Sequence, residues 1–230
     1  MCKFVVGLIA ICIALPALSA KFTPTAAELR DRYIQFRGGE TSLMAMQVVE
    51  REGTMTYFAG GAPEIGSYHT CIEYPTKVAV SLDLPKSSLF ERWTKDNGAQ
   101  YCDRNFSNCK SAGPKKVEEL KATALNANRE ILYYDTDWSK AVVILKSPKV
   151  AKVTISDAYY LIEIGSGRVM EQGWIDSGRR REYGDWHRVG NVLFPFYFAD
   201  YVRKKLQYSG QLSSVIQSPR LTAWCAKSFR

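Results

Sequence analysis

The sequence has little material for histidine chemistry, since His69 and His187 are its only histidines. Neither lies in an HExxH pair, and no nucleophile elbow, P-loop or GxGxxG turn is present, so the usual signatures of metalloproteases, serine hydrolases and nucleotide binders are missing. Gly165-Ser166-Gly167 reads as a hairpin turn instead. There is no CxxC, and His69 two residues from Cys71 is a poor start for zinc, which takes four well-spaced ligands. Beyond the first twenty residues no run approaches the ~18 apolar residues of a membrane span. Internal repeats and low-complexity linkers are lacking as well.

What is present is an ordinary globular composition. The 230 residues are 46% hydrophobic and 23% charged, with 31 Lys+Arg against 23 Asp+Glu, which excludes disordered, collagenous and miniature disulfide-packed classes. Residues 1–20 read as a cleaved secretory signal. Lys3 supplies the positive start, Phe4 to Leu15 an apolar run too short to span comfortably, and Pro16 to Ala20 a small-residue cleavage zone. Cleavage is expected after Ala20 or, second, after Ser19; an uncleaved anchor is the alternative. Cys12 lies inside the apolar run behind Ile11, which argues against a lipoprotein box.

Cleavage removes Cys2 and Cys12 and leaves Cys71, Cys102, Cys109 and Cys225. An even number in an oxidising compartment points to two disulfides, with three pairings allowed. Cys102 and Cys109 can close a short polar loop, which leaves Cys71 for Cys225. Loss of Lys3 takes the net charge from +8 to +7. Basic clusters stand at Lys115-Lys116, Arg179-Arg180-Arg181 and Arg203-Lys204-Lys205. Each reads first as a solvated turn or helix face, with anionic lipid headgroups or acidic envelope polymers as the functional alternative. Export and the lack of a binding motif exclude nucleic acid as the expected partner.

Along the chain, residues 21–39 form an expected helix, with Thr25 and Glu28 at capping-box spacing and Gly38-Gly39 as its stop. A short helix follows near Glu40 to Met46. Strands are expected from Val48 to Phe58, Ile65 to Tyr74, Lys77 to Leu84 and Ser88 to Lys95, then a short one ending near Cys102. Between Gly113 and about Leu145 the character changes: Pro114 opens helical spacing that runs through about Asn128, and Asp137-Trp138-Ser139-Lys140 opens a further short helix. Strand signals return at Val150 to Ser156, Tyr159 to Ile164, Arg168 to Ile175, Arg179 to Arg188 and Val192 to Phe198. A last strand is expected near Tyr201 to Tyr208. Strands before and after a helical insert point to one sheet curled around a core with helices on its open side, and two α+β units divided near Ser111 to Pro114 are the alternative.

Several of these segments resemble exported lipoprotein-carrier-like (LolA/LolB-like) domains. The resemblance lies in LRDRYIQFRGG from Leu29 to Gly39, EYPTKV from Glu73 to Val78, the Asp96-Asn97-Gly98 turn, the strand-turn-strand run Tyr160 to Ile175, and YGDWHRVGNVLFPF from Tyr183 to Phe196. It implies an α+β fold: a single domain over 21–230 in which a strongly curved antiparallel sheet forms an unclosed β-barrel with a helical lid. It further implies a periplasmic, monomeric carrier for acyl chains of lipoprotein or lipid, with no enzyme activity, no cofactor and transient membrane-surface or envelope-protein contacts. An envelope sensory or structural module on the same fold is the alternative.

Strand alternation supplies candidate ligand-lining residues on one face. In the first block these are Met55, Tyr57, Tyr68, Ile72, Tyr74, Val78, Val80 and Leu82; in the second, Tyr160, Ile162, Met170 and Trp174. Aromatic and methionine walls suit flexible alkyl chains, and the same residues can equally fill a closed core. Two departures from the family bear on its release step. Tyr74 precedes Pro75 where lipoprotein carriers place a lid-holding Arg, and Tyr101 alone stands for the aromatic after the turn. Asp185 and His187 can share a hydrogen bond on one strand face and form the remaining catalytic candidate, but no nucleophile accompanies them.

Overall fold

The computed structural model describes residues 23–58, 62–126 and 138–230, so the expected signal segment lies outside the described residues. Among the described residues, thirteen strands form one sheet. They are β1 Val48–Tyr57, β2 Glu64–Glu73, β3 Lys77–Asp83, β4 Ser88–Thr94, β5 Gly98–Cys102, β6 Cys109–Ser111, β7 Val142–Ser147, β8 Val150–Ile155, β9 Ala158–Glu163, β10 Val169–Trp174, β11 Arg179–Val189, β12 Val192–Val202 and β13 Lys205–Ser218. Four helices accompany them: α1 Ala26–Arg37, α2 Glu40–Met44, α3 Pro114–Asn126 and α4 Ala223–Ser228.

The order β6-β5-β4-β3-β2-β1-β13-β12-β11-β10-β9-β8-β7 is antiparallel throughout. The two blocks join where β1 pairs with β13, Val48 opposite Ser218 and Tyr57 opposite Tyr208. β6 and β7 end the sheet without hydrogen bonding to each other, which leaves the barrel unclosed. Chain twist and period-two burial curl such a sheet around its apolar face.

Helix α1 forms as its sequence dictates. Thr25 accepts from the Glu28 amide while the Glu28 carboxylate accepts from the Thr25 amide at 2.7 Å. Its buried face, Ala26, Leu29, Tyr33 and Ile34, lies on the concave side against Val153, Tyr160 and Ile162 of β8 and β9 and near Val192 and Phe194 of β12. Gly38 stops it at φ 121°, and a side chain there would run into the Asn191 carbonyl of the β11–β12 turn. Helix α3 covers another part of the concave face, with Leu120 among Ile72, Val78, Trp93 and Ala99.

The convex side has its own cover, the C-terminal α4. Cys225 is bonded to Cys71 and fully buried, and Trp224 lies over the His69 ring at 3.7 Å. Cys102 and Cys109 are bonded as well, so both expected disulfides are present and the thiolates that a zinc site would need are consumed. Phe106, from the loop that the second disulfide closes, packs edge-on to Trp224.

One sequence expectation requires correction, and two stretches form elements that the sequence did not announce. The strand expected over Tyr201 to Tyr208 is two strands meeting at a tight turn, because Arg203 and Lys204 both take positive φ, 48° and 69°. Such turns ordinarily carry Asn or Gly, so the sequence held no signal for it. The helical spacing from Pro114 and the short helix at Trp138–Lys140 are both present, but Val142–Ser147, where no strand was expected, is the edge strand β7, its exposed alternation set by having a partner on one side only. Finally, β13 runs to Ser218 and α4 follows, in the stretch after Gly210 that has no clear sequence pattern.

Candidate ligand-binding site

The expected ligand-lining residues divide into four groups. Met55, Tyr57, Tyr68 and Leu82 converge at the centre of the concave face. Cross-strand pairing places them: Tyr68 stands opposite Leu82, Tyr57 opposite Tyr208, and Met55 opposite Gly210. Ile72, Tyr74, Val78 and Val80 cluster under α3 around Leu120. Tyr160 and Ile162 are buried under α1. Met170 falls at the register shift between Val169 and Glu171, and Trp174 stands opposite Ala158; neither belongs to a buried cluster among the described residues.

The central group is completed by Leu84, Phe198, Tyr208 and Leu212, which sequence reasoning missed. Tyr57 stacks on Tyr208 at 5.1 Å, and Tyr68 meets Phe198 edge-on at 5.8 Å. The Phe198 ring lies where any side chain on Gly210 would stand, 2.3 Å from its ideal Cβ, so the glycine makes room for the aromatic. Phe198 and Tyr208 flank the Arg203-Lys204 turn, and reading one strand through that turn hid their common face. Tyr57, Tyr68 and Tyr208 are only partly buried. They lie toward the turn end of the barrel, opposite the end where α1 meets the β11–β12 turn.

Guanidinium groups border this apolar surface. Arg181 holds Asp200 through two hydrogen bonds of 2.6 Å and lies 5.2 Å over Phe198. Burial pulls the Arg181 pKa down, but the Asp200 charge and hydrogen bonds reverse this and leave it raised. Arg37, the last residue of α1, is fully buried. It donates from Nε to the Leu193 carbonyl at 2.5 Å and from Nη1 to the Tyr33 hydroxyl at 2.6 Å. Its guanidinium and that of Arg51 both lie within 6 Å of the Phe194 ring centre. Desolvation lowers the pKa of Arg51 and brings that of Arg37 down to about 10, still charged at neutral pH.

The two histidines occupy different settings. His69 is hydrogen-bonded to Glu50 at 2.5 Å on the convex side, and Glu50 also accepts from Thr222, the N-cap of α4. His187 Nε2 lies 2.6 Å from Asp185, with both side chains exposed, and Asp185 also accepts from Gln211. The expected Asp185–His187 hydrogen bond is therefore present, on a solvated strand rather than in a cleft.

These elements define an unclosed antiparallel barrel with a helical lid over an aromatic concave face. Comparison with solved structures gives that class its setting. The chain is similar to a LolA superfamily protein from Nitrosomonas europaea, with 9% identity, a TM-score of 0.55, and coverage of 86% of this chain and 96% of that one. It is also similar to an outer membrane lipoprotein-sorting domain from Vibrio parahaemolyticus, with 8% identity, 86% and 94% coverage and a TM-score of 0.49. The fold is LolA-like. By sequence, no family model and no curated protein matches the chain.

Proposed function

We propose that the chain is an exported binding or carrier protein that holds the acyl chains of a lipoprotein or lipid against the concave face of the half-barrel, in a bacterial periplasm. The observation that carries this reading is the convergence of Met55, Tyr57, Tyr68, Leu82, Phe198 and Tyr208 on one concave surface, bordered by helices rather than by further sheet. An acyl chain gains roughly 0.8 kcal/mol per buried methylene, so a chain lying along these rings retains several kcal/mol after ordering costs. The two disulfides support export, since such bonds persist in oxidising compartments. In this reading the protein acts by binding, as a monomer without a cofactor, and Asp185–His187 serves as a surface hydrogen bond.

Native mass spectrometry of gently purified protein tests the proposal, together with displacement of a fluorescent fatty acid. Bound lipid is expected, and Phe198→Ala with Tyr68→Ala should weaken fatty-acid uptake at least tenfold while the near-UV spectrum keeps its folded form. Repeated absence of lipid and of uptake would overturn it, and a stable protein complex from envelope extract without lipid would replace it with the interaction-module reading. Loss of a measured turnover in His187→Ala would instead expose an enzyme.

A further inference from the structure

The three basic clusters of the sequence have different fates in the fold. Lys116 is held by Glu91 at 2.9 Å and by Glu119 at 3.0 Å. Arg180 pairs with Glu171 and Glu182, and Arg181 with Asp200. Arg203, Lys204 and Lys205 are exposed and have no ion-pair partner among the described residues. The sheet brings a fourth exposed cation beside them, because Arg179 stands opposite Val202 and the Arg203 amide donates to the Gly178 carbonyl at 3.0 Å.

Two further features mark this turn. Arg203 and Lys204 occupy the two left-handed positions of the β12–β13 hairpin, where L-residues with a Cβ are disfavoured by roughly 1–2 kcal/mol each. The chain thus sets two long cationic side chains at the turn of the β12–β13 hairpin, where Asn-Gly folds more easily. Ile175, 52% exposed, opens the neighbouring β10–β11 turn, and Ile65, 63% exposed, follows Glu64 at the start of β2, at the same end of the sheet. Asp176 and Asp157 lie in the next two turns on one side and Lys86 stands near Glu64 on the other, so the group of adjacent cations on this rim is the one at the β12–β13 tip.

We infer that this tip, formed by Arg179, Arg203, Lys204 and Lys205 with Ile175 in the adjoining turn and Ile65 at the same end of the sheet, is a docking surface for an anionic phospholipid bilayer. Cations attract the anionic headgroups, and isolated isoleucines beside them reach the apolar boundary of the layer, a pairing that suits a lipid surface better than an acidic protein. The tip lies at the end toward which Tyr57, Tyr68 and Tyr208 open, so docking presents the concave face to the membrane. The inference is independent of what the concave face holds, since surface partition requires no bound acyl chain.

Sedimentation with vesicles tests it. The protein should partition onto vesicles of mixed phosphatidylglycerol and phosphatidylcholine, lose that partition as salt rises, and ignore pure phosphatidylcholine. Each tip cation removed should lower partition about fivefold. The variant Arg203→Asn/Lys204→Gly removes two charges while giving the turn its preferred residues, so a roughly 25-fold loss with unchanged or higher thermal stability is expected. Lys146→Gln/Lys149→Gln, at the opposite end of the barrel, serves as the control for net charge. The inference is overturned if the tip variant binds as well as the parent, if the control loses as much, or if neutral vesicles bind equally. Binding to an acidic protein or polymer with no vesicle partition would overturn it too and reassign the surface.

Discussion

The two faces of the sheet are covered by different means. On the convex side α4 is tied to β2 by a disulfide that spans 154 residues of sequence, and Trp224, Phe106 and the Glu50–His69 pair pack around it. On the concave side α1 is held by apolar packing, the Arg37 hydrogen bonds and one bond from Arg32 Nη1 to the Ile164 carbonyl at 2.7 Å. A disulfide keeps its cover tethered even when the packing loosens, whereas a cover of packing and hydrogen bonds alone can open and reclose thermally. The side that can open is therefore the side carrying the aromatic surface, as a binding role for that surface requires.

The largest test of this contrast removes the covalent cover. Cys71→Ala/Cys225→Ala should lower stability by about 4 kcal/mol, because a long closed loop is released in the unfolded chain, and a shift in the urea midpoint would measure it. Fatty-acid uptake by the folded variant should stay within twofold of the parent. Uptake lost with the fold intact would make the convex cover part of the site and erase the distinction.

Loosening the other cover should do the reverse. Leu29 is fully buried on the inner face of α1, and Leu29→Ala should lower stability by about 3 kcal/mol through lost burial and the cavity left behind. Arg37→Met keeps most of the side-chain volume but removes two hydrogen bonds from a charged donor, for an expected loss of about 2 kcal/mol. In both variants amide exchange should accelerate in α1 before it does in β1 and β13, and fatty-acid uptake should become faster. Uniform acceleration across the sheet would show that α1 does not open on its own.

Much of this arrangement was legible before the fold was known. The capping box of α1, the alternation of Val78, Val80 and Leu82, and the pairing of Cys102 with Cys109 rest on local spacing, which survives folding. What stayed hidden depended on distant partners. Arg37 reads as an ordinary cation in a last helical turn, and only the approach of β12 makes it the anchor of the lid. Met170 continues a strand pattern by spacing, but a register shift takes it out of phase. Val142 and Ile144 lie in an edge strand whose identity comes from pairing with β8, and the Arg203-Lys204 turn contradicts the usual turn chemistry. The central aromatic group was half visible, because Met55, Tyr57, Tyr68 and Leu82 precede that turn while Phe198 and Tyr208 flank it.

The smallest expected effect lies on a polar network that, among the described residues, no helix covers. The Tyr159 hydroxyl donates to Glu171 at 2.7 Å, and Arg180 bridges Glu171 and Glu182. Burial, followed by the hydrogen bond to Glu171 and the repulsion a phenolate would meet there, pushes the Tyr159 pKa up to about 12. An unfolded tyrosine titrates near 10. Between about pH 10 and 12 the unfolded chain releases this proton while the folded chain retains it, so the contribution is fully present below pH 10 and is lost as pH rises through 12. Tyr159 is partly solvated, which keeps its share under about 1 kcal/mol. Tyr159→Phe should barely change stability at pH 7 and should flatten its decline above pH 10, measured as urea midpoints for parent and variant across that range. A decline of equal slope in both would assign the alkaline loss to other groups, and a destabilisation at pH 7 comparable with Leu29→Ala would mean that this polar network holds the sheet as firmly as the packed lid does.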